Sequence, residues 1–278
     1  MPPVTLNNFT IGAGQPLTLI AGPCVVENEK MILETAEAIA TAVRDLPVQL
    51  IFKASYRKAN RTSVSGFTGL PFETALGILE KVRSGLGLPV LTDVHDELSL
   101  PVVAEVADVL QIPAFLSRQT DLLLAAGRTG RIVNIKKGQF LAPEDMEKAA
   151  EKVASTGNPG ILLTERGTTF GYRNLVVDMR GLVIMAKSGY PVIYDATHSV
   201  QLPGGMGTAS GGQPEFIPPL ARAALATGAV SGVFMEVHPD PSRALSDAGT
   251  QLALERFPRV LKQLLEVYRV AQNMGDPA

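Results

Sequence analysis

Residues 188–199 read Ser-Gly-Tyr-Pro-Val-Ile-Tyr-Asp-Ala-Thr-His-Ser, and this stretch shows the pattern that decides the fold. A turn marked by glycine and proline leads into the short apolar run Val192–Asp195, and a longer polar segment that includes His198 follows. Glycine is typical of helix ends, and a nearly continuous apolar run is typical of a strand buried on both faces of a parallel sheet. The stretch therefore predicts a buried parallel strand that opens into a polar loop.

The same unit returns along the whole chain. Turns before the predicted strands are short, whereas the connections after them are longer and polar, notably Ala54–Pro71, Ala196–Pro214 and Val237–Leu252. Eight such units predict an α/β fold, a (β/α)8 TIM-type barrel, with its active site at the carboxyl ends of the strands. The predicted strands are Leu17–Ala21, Gln49–Lys53, Val90–Asp93, Val109–Ile112, Ile132–Lys136, Gly160–Glu165, Val192–Asp195 and Gly232–Glu236. The predicted helices include Glu29–Arg44, Phe72–Arg83, Asp121–Arg128, Pro143–Ala154, Pro218–Thr227 and Arg256–Gln272.

The domain organisation follows from the length of 278 residues, which one barrel can hold. We predict a single barrel domain over residues 1–278, with residues 1–16 as an N-terminal extension whose hairpin closes the bottom. An open doubly wound sheet is the alternative architecture. It would need a glycine-rich phosphate turn after the first strand, and Gly22-Pro23-Cys24 has the wrong spacing for one.

Composition excludes several classes of function. The 25 Lys and Arg residues against 27 Asp and Glu residues leave a net charge of −2, without the basic excess of a nucleic-acid-binding protein. No apolar run approaches the roughly 18 residues of a membrane helix, and the N-terminus lacks the basic start of a signal peptide. The single cysteine allows no intramolecular disulfide. We therefore expect a cytoplasmic protein that binds neither nucleic acid nor membranes.

Candidate metal ligands come at or just after the ends of predicted strands. Cys24 follows the first strand, and three further candidates belong to the last two units. In a closed barrel the eighth strand pairs with the first, so these side chains can converge. A mixed thiol, imidazole and carboxylate set suits Zn²⁺ or Fe²⁺, with Mn²⁺ or Co²⁺ also allowed. Taken alone, a lone cysteine is more often an inert buried thiol. The four candidates are Cys24, His198, Glu236 and Asp247.

Cationic side chains form a second group at the strand ends. A buried ammonium or guanidinium is costly unless it meets an anion, so these residues predict a substrate with phosphate or carboxylate groups. The alternative is pairing with protein carboxylates such as Asp93, Glu165 or Asp195. The cations are Lys53, Arg57, Lys58 and Arg61 after the second strand, Lys136 and Lys137 at the fifth, and Arg166 after the sixth.

Eight motifs spread over the chain carry a family resemblance. They are Ala21-Gly22-Pro23-Cys24, Phe52-Lys53-Ala54-Ser55, Lys58-Ala59-Asn60-Arg61-Thr62-Ser63, Gln111-Ile112-Pro113-Ala114-Phe115-Leu116, Asn134-Ile135-Lys136-Lys137-Gly138-Gln139-Phe140, Leu163-Thr164-Glu165-Arg166-Gly167, Tyr194-Asp195-Ala196-Thr197-His198-Ser199-Val200-Gln201 and Ala244-Leu245-Ser246-Asp247. Together they resemble the family of 3-deoxy-D-manno-octulosonate 8-phosphate (KDO 8-phosphate) synthases over essentially the whole chain.

The resemblance implies a transferase of lipopolysaccharide precursor synthesis. Members of this family condense phosphoenolpyruvate with D-arabinose 5-phosphate and water, and they release inorganic phosphate. Cysteine after Gly-Pro is similar to the metal-dependent branch, which implies one divalent transition metal (Zn, Fe, Mn or Co). The metal ligands implied are Cys24, His198, Glu236 and Asp247, and the catalytic residues are Lys58, His198, Cys24 and Asp247.

The resemblance also implies substrate contacts and an assembly. Lys58, Lys136 and Arg166 resemble phosphoenolpyruvate contacts, with Lys53 beside them. Asn60, Arg61 and Thr62 would hold the pentose phosphate; the family usually has serine where Thr62 stands, and the hydroxyl is kept. Arg118 resembles an arginine that reaches into a neighbouring subunit's site, which implies a homotetramer.

Alternative functions remain open. A sister enzyme makes 3-deoxy-D-arabino-heptulosonate 7-phosphate from erythrose 4-phosphate and has a Lys-Pro-Arg-Thr-Ser-like segment. Lys58-Ala59-Asn60-Arg61 favours the five-carbon sugar instead. A non-catalytic barrel would have no need for all these ligands and cations. The glycine-rich loop Leu202–Gln213 is either a lid that excludes water or a plain surface connection.

Overall fold

The structure is a computed structural model that describes residues 3–61, 63–203 and 211–274. In these ranges eight parallel strands alternate with eight helices, and each helix follows the strand of the same number. The strands are β1 (Leu17–Gly22), β2 (Val48–Lys53), β3 (Val90–Asp93), β4 (Val109–Ile112), β5 (Ile132–Lys136), β6 (Ile161–Glu165), β7 (Val192–Asp195) and β8 (Gly232–His238). The helices are α1 (Glu29–Val43), α2 (Phe72–Leu86), α3 (Leu100–Val106), α4 (Thr120–Arg128), α5 (Asp145–Ala154), α6 (Met179–Ala186), α7 (Ile217–Ala226) and α8 (Phe257–Asn273).

The sheet closes into a ring, which confirms the predicted TIM-type barrel. Neighbouring strands pair in parallel from β1 to β8, and β8 pairs with both β7 and β1. At the closing seam Glu236 lies opposite Gly22. Side chains from near the two ends of the chain therefore lie together at the carboxyl edge of β8 and β1. An open sheet would keep them apart.

Two layers of side chains fill the barrel. Residues two apart on a strand face the same side, so one strand can place a side chain in each layer. The lower layer is apolar. The predicted N-terminal hairpin is confirmed, since Val4–Leu6 pairs antiparallel with Phe9–Ile11 and packs its buried side chains beneath this layer. Polar and charged residues occupy the upper part. The apolar layer consists of Ile20, Ile51, Leu91, Val109, Ile132, Leu162, Ile193 and Phe234.

Two helices are not predicted by the sequence patterns. Helix α3 has only seven residues and carries Pro101 in its first turn, so its apolar periodicity is too short to stand out. Helix α6 contains Gly181, a poor helix former, and follows a short antiparallel ladder between Thr168–Phe170 and Asn174–Val176. The longest helix is α8 with 17 residues. No helix among the described residues has both the length and the apolarity needed to span a bilayer.

The glycine-rich loop of residues 202–213 falls largely outside the described residues, which omit 204–210. Its flanks are described: Gln201–Leu202 pairs antiparallel with Gly211–Gly212. The loop thus leaves and rejoins the barrel at one place, just after His198–Val200. Whether it acts as a lid stays a prediction.

Candidate active site

Close backbone contact at the end of β1 positions Cys24. A Cβ on Gly22 would lie 2.0 Å from the carbonyl oxygen of Lys53 on β2, so only glycine allows the two strands to approach this closely. The chain then turns through Pro23, and Cys24 is fully buried. Its backbone N–H donates to Gln251 Oε1 at 3.2 Å, which ties the end of β1 to the loop after β8.

Three of the four candidate metal ligands converge at this seam. Ligand atoms of Cys24, Glu236 and Asp247 all lie within 4.8 Å of one another. Cys24 Sγ is 3.2 Å from Asp247 Oδ2. Asp247 adopts a left-handed backbone conformation with φ 48°, which few non-glycine residues adopt and which Asp tolerates better than most. This turn directs its carboxylate toward the barrel.

His198, which follows β7, lies beside these three ligands but is not among the residues whose ligand atoms are all within 4.8 Å of one another. Its Nε2 lies 3.6 Å from Glu236 Oε1 and 3.9 Å from Asp247 Oδ2. Its Nδ1 is 2.8 Å from Asp195 Oδ2, and a carboxylate behind an imidazole is the usual support of a metal-binding histidine. Nε2 therefore faces the two carboxylates.

The donor set fits a divalent transition metal. Glu236 Oε2 is buried and has no hydrogen-bond partner among the described residues, although an ionised oxygen needs one. Burial and the nearby Glu236 carboxylate raise the pKa of the Cys24 thiol well above its ordinary value. A cation at this position would reverse that effect, because it favours the thiolate. The unsatisfied oxygen and the mixed soft and hard donors are what a metal site would show.

Lysines on β2, in the loop after β2 and on β5 pair with protein carboxylates, as the alternative interpretation of the strand-end cations predicts. Lys53 Nζ lies 2.8 Å from Glu236, and Lys58 Nζ lies 3.1 Å from Asp247. Lys136 Nζ lies 2.6 Å from Asp195 Oδ2. Burial lowers the pKa of Lys58, but the charges of Asp247 and the other acidic groups around it together outweigh burial, and the net shift is upward. These ion pairs hold the ammonium groups in place at the site.

Arg166 differs from the lysines. No carboxylate of the described residues lies within ion-pair distance of its guanidinium, whose Nη2 donates to Gln201 Oε1 at 3.0 Å. The other terminal nitrogen, Nη1, is buried with no partner. Burial lowers the pKa of Arg166 from its ordinary value. A buried charge with a free donor is expensive, and an anionic ligand would satisfy it.

These groups surround a cavity of about 190 Å³ at the carboxyl end of the barrel. Among the described residues its walls hold the cations Lys53, Arg57, Lys58, Lys136 and Arg166. The carboxylates of Asp93 and Glu236 line it with them, and His95, His198 and Asn60 are also in the wall. The three lysines are paired with carboxylates, so the positive charge that suits an anion comes from Arg57 and Arg166, which have no carboxylate of the described residues at ion-pair distance.

Other predicted residues lie away from the cavity. Arg61 faces the adjoining pocket, where its Nη1 donates to the Lys58 carbonyl at 3.0 Å. Arg118 is exposed on the turn before α4, outside the cavity wall. Lys137 points to the outside of the barrel and donates to Thr168 Oγ1 at 2.9 Å. Thr62 lies outside the described residues.

Several polar residues of the site escaped the sequence patterns. Ser55 and Gln111 line the cavity beside Asp93, which the sequence already offers as a partner of the cations, and Asn134 and Thr164 lie behind them with no exposed surface. A signal for them exists: each of Gln111, Asn134 and Thr164 is a polar residue at an inward position of a mainly apolar strand. Buried polar residues are the informative exceptions in such a strand.

Comparison with known proteins identifies the family. A family model described as the DAHP synthetase I family matches residues 2–272, nearly the whole barrel. The chain belongs to the DAHP synthetase I family. The match takes in both ends of the ring and therefore both halves of the candidate metal site.

Individual relatives are similar to this chain over almost their full length. A protein of Geotalea uraniireducens (strain Rf4) is 57% identical over 261 residues, which cover 94% of this chain and 96% of that protein. One of Syntrophotalea carbinolica is 58% identical over 266 residues, 96% of each chain. One of Geobacter sulfurreducens is 55% identical over 261 residues, 94% of this chain and 96% of that protein. All three are named 2-dehydro-3-deoxyphosphooctonate aldolase.

Proposed function

We propose that the chain is a transferase that condenses phosphoenolpyruvate with D-arabinose 5-phosphate and water, giving 3-deoxy-D-manno-octulosonate 8-phosphate and inorganic phosphate. The observation that carries the proposal is the cavity wall with its excess of cations, in a chain 55–58% identical to relatives named for an eight-carbon 3-deoxy keto acid phosphate. Both substrates are anions, and the cavity has the charge to hold them.

Phosphoenolpyruvate would lie against the lysines of β2 and β5 and against Arg166. The free Nη1 of Arg166 supplies a donor for the phosphate or carboxylate. Lys136 is paired with Asp195, and its Nζ lies 3.8 Å from the centre of the Phe234 ring. These two contacts fix the position of its ammonium group. Lys53 and Lys58 complete this wall. The rigid cations bind the anion in one orientation.

The sugar phosphate would enter over the loop that follows β2. Asn60 stands at the cavity wall, and Arg61 faces the adjoining pocket, at the side from which the phosphate tail would extend. We propose that Thr62 joins them. Arg118, exposed in one subunit, would reach the site of a neighbour in a homotetramer.

The reaction then follows from orientation. Carbon 3 of the enol attacks the sugar aldehyde, whose oxygen takes up a proton, and positive charge develops at carbon 2. Water adds to carbon 2 and loses a proton. The bond between carbon 2 and the phosphate oxygen then breaks, the hydroxyl proton passes to the departing phosphate, and a ketone is left. Holding the two anions in reacting order can supply roughly 7–11 kcal/mol. Lys58 is well placed to give a proton to the oxygen of the former aldehyde, because its ammonium sits between the cavity and Asp247.

The candidate metal centre adds to this machinery. Cys24, His198, Glu236 and Asp247 would hold one divalent transition metal, namely Zn, Fe, Mn or Co. Such an ion polarises the aldehyde oxygen or orients and activates the water. Asp195 keeps His198 turned so that Nε2 faces the other ligands.

The proposed product and the single cysteine also bear on where the protein acts in the cell. We propose that it acts in the cytoplasm, in the synthesis of lipopolysaccharide precursors. No partner other than its substrates and its own copies is part of the proposal.

Phosphate release from phosphoenolpyruvate tests the assignment. The assay compares arabinose 5-phosphate with erythrose 4-phosphate, the sugar of the seven-carbon pathway named in the family description. We expect much faster release with arabinose 5-phosphate. Appreciably faster release with erythrose 4-phosphate would transfer the chain to the seven-carbon activity. Running both arms with and without chelator tests the metal separately.

A further inference from the structure

A chain of buried polar side chains crosses the barrel beneath the cavity. Thr164 Oγ1 donates to Asn134 Oδ1 at 2.6 Å, and Asn134 Nδ2 donates to Gln111 Oε1 at 2.9 Å. Gln111 Nε2 donates in turn to Asp93, which also accepts from Ser55 Oγ. The strand register aligns these partners, since Asn134 lies opposite Gln111 and Gln111 lies opposite Asp93.

The Asp93 carboxylate determines the direction of this chain. Burial would raise the pKa of Asp93, but the facing charges of His95, Lys53 and Lys136 hold it down at about 2. An ionised carboxylate only accepts hydrogen bonds. Gln111 must therefore turn its NH2 group toward Asp93 and its carbonyl oxygen away from it. The carbonyl then needs a donor on its far side.

Asn134 and Thr164 supply that donor. Asn134 can give its NH2 group to Gln111 only if its own oxygen faces the other way, and the Thr164 hydroxyl binds that oxygen. Both side chains have no exposed surface, and neither is in the cavity wall. A valine would fill the position of Thr164 without the cost of burying a hydroxyl. The polar groups of Asn134 and Thr164 therefore serve the series of hydrogen bonds that leads to Gln111, and they make no direct contact with the cavity.

The amide of Gln111 is the point where this chain meets the cavity. One of its N–H groups binds Asp93, and no other acceptor of the described residues lies within hydrogen-bond distance of Nε2. Its second N–H is therefore available to a ligand. A flipped amide would instead turn a carbonyl oxygen toward the ligand, in a cavity whose cations select anions. Orientation of this one group decides between attraction and repulsion.

We propose that Asn134 and Thr164 are positioning residues that lock the Gln111 amide with its free N–H toward the anionic substrate. This inference rests on the proposed function only in taking phosphoenolpyruvate as that anion. A fixed amide lowers the entropic cost of binding, because the side chain does not have to be ordered each time the substrate binds.

The matched pair Thr164→Val and Thr164→Ser tests the lock. Valine keeps the volume and removes the donor, whereas serine keeps the donor. We expect Thr164→Val to weaken phosphoenolpyruvate binding, measured by calorimetry without turnover, by roughly 5- to 20-fold, which is part of the roughly 10- to 150-fold that the complete loss of one hydrogen bond to a charged group would cause. Thr164→Ser should stay within about 2-fold, and the KM for arabinose 5-phosphate should change little. Equal affinity for Thr164→Val and the unmodified chain would overturn the inference.

A second background separates positioning from general destabilisation. In Gln111→Met the amide is gone, so adding Thr164→Val should cause no further loss of affinity. Fully additive losses would show that Thr164 acts independently of Gln111 and would contradict the lock. Asn134→Leu removes the donor to Gln111 with little change in volume and without adding a charge, and it should weaken binding at least as much as Thr164→Val; unchanged affinity would also contradict the lock. Failure of the unmodified chain to release phosphate would instead refute the proposed function.

Discussion

Replacing Arg166 with methionine tests the anion site in the most specific way. The guanidinium is buried, has no carboxylate of the described residues at ion-pair distance, and leaves Nη1 without a partner. A hydrogen bond to a charged group contributes about 1.5–3 kcal/mol. If that bond is made to phosphoenolpyruvate, its loss should lower kcat/KM about 10- to 150-fold. The loss should appear mainly in the KM for phosphoenolpyruvate.

Stability should move in the other direction. Removing a buried charge that lacks an ion-pair partner among the described residues relieves a desolvation cost, so Arg166→Met should leave the Tm unchanged or raise it. Arg259→Met, on the exposed face of α8, is the matched control and should change neither quantity by much. Steady-state kinetics by phosphate release and thermal melts measure both. An unchanged KM, or a lower Tm with intact kinetics, would refute a substrate-binding role for Arg166.

Three further predictions concern the metal, acid stability and the β1–β2 contact. Cys24→Ser should lower the bound metal and the turnover together, as elemental analysis beside phosphate release would show; full activity in metal-free protein would contradict this. Burial raises the pKa of Asp93, but His95 and the facing lysines hold it at about 2, below its usual 3.8. Its ionised form should therefore contribute about 2 kcal/mol above pH 4 that is lost as the pH falls toward 2, and urea melts of Asp93→Asn should lack this decline. Gly22→Ala should cost about 1–3 kcal/mol because its Cβ would meet a carbonyl oxygen of β2 at 2.0 Å. Gly77→Ala, with nothing within 4 Å, should not destabilise; equal thermal melts for the two would show that the contact is relaxed.

The barrel could be predicted from sequence because the apolar run of each strand indicates by itself that the strand is buried. A run such as Val192–Asp195 between a glycine turn and a polar loop carries the information locally, and eight repeats of it leave one closed architecture. Helix α3 could not be predicted this way, since seven residues with a proline in the first turn show too little periodicity.

Pairing between distant groups could not be predicted from the same patterns. Lys53 and Glu236 lie 183 positions apart, and only ring closure brings them to 2.8 Å. The sequence shows that cations stand at strand ends, but not which carboxylate each one meets. Arg166 shows the reverse: only the structure shows that its Nη1 has no partner.

The polar residues inside the mainly apolar strands could not be predicted as site residues from the sequence patterns. Gln111 and Asn134 each interrupt an apolar run by one residue, which is a weak signal in a single sequence. Their importance depends on register, because the hydrogen bonds between them require opposite positions on β4 and β5. A charged strand-end residue is conspicuous in the sequence, whereas a neutral amide is not.

Competition between two sugars in one reaction tests the central claim most directly. Phosphoenolpyruvate is offered with equal amounts of arabinose 5-phosphate and erythrose 4-phosphate, and the products are separated by mass. We expect the eight-carbon 3-deoxy keto acid phosphate to dominate, in amounts equal to the phosphate released. A mainly seven-carbon product, or consumption of phosphoenolpyruvate without either product, would contradict the account.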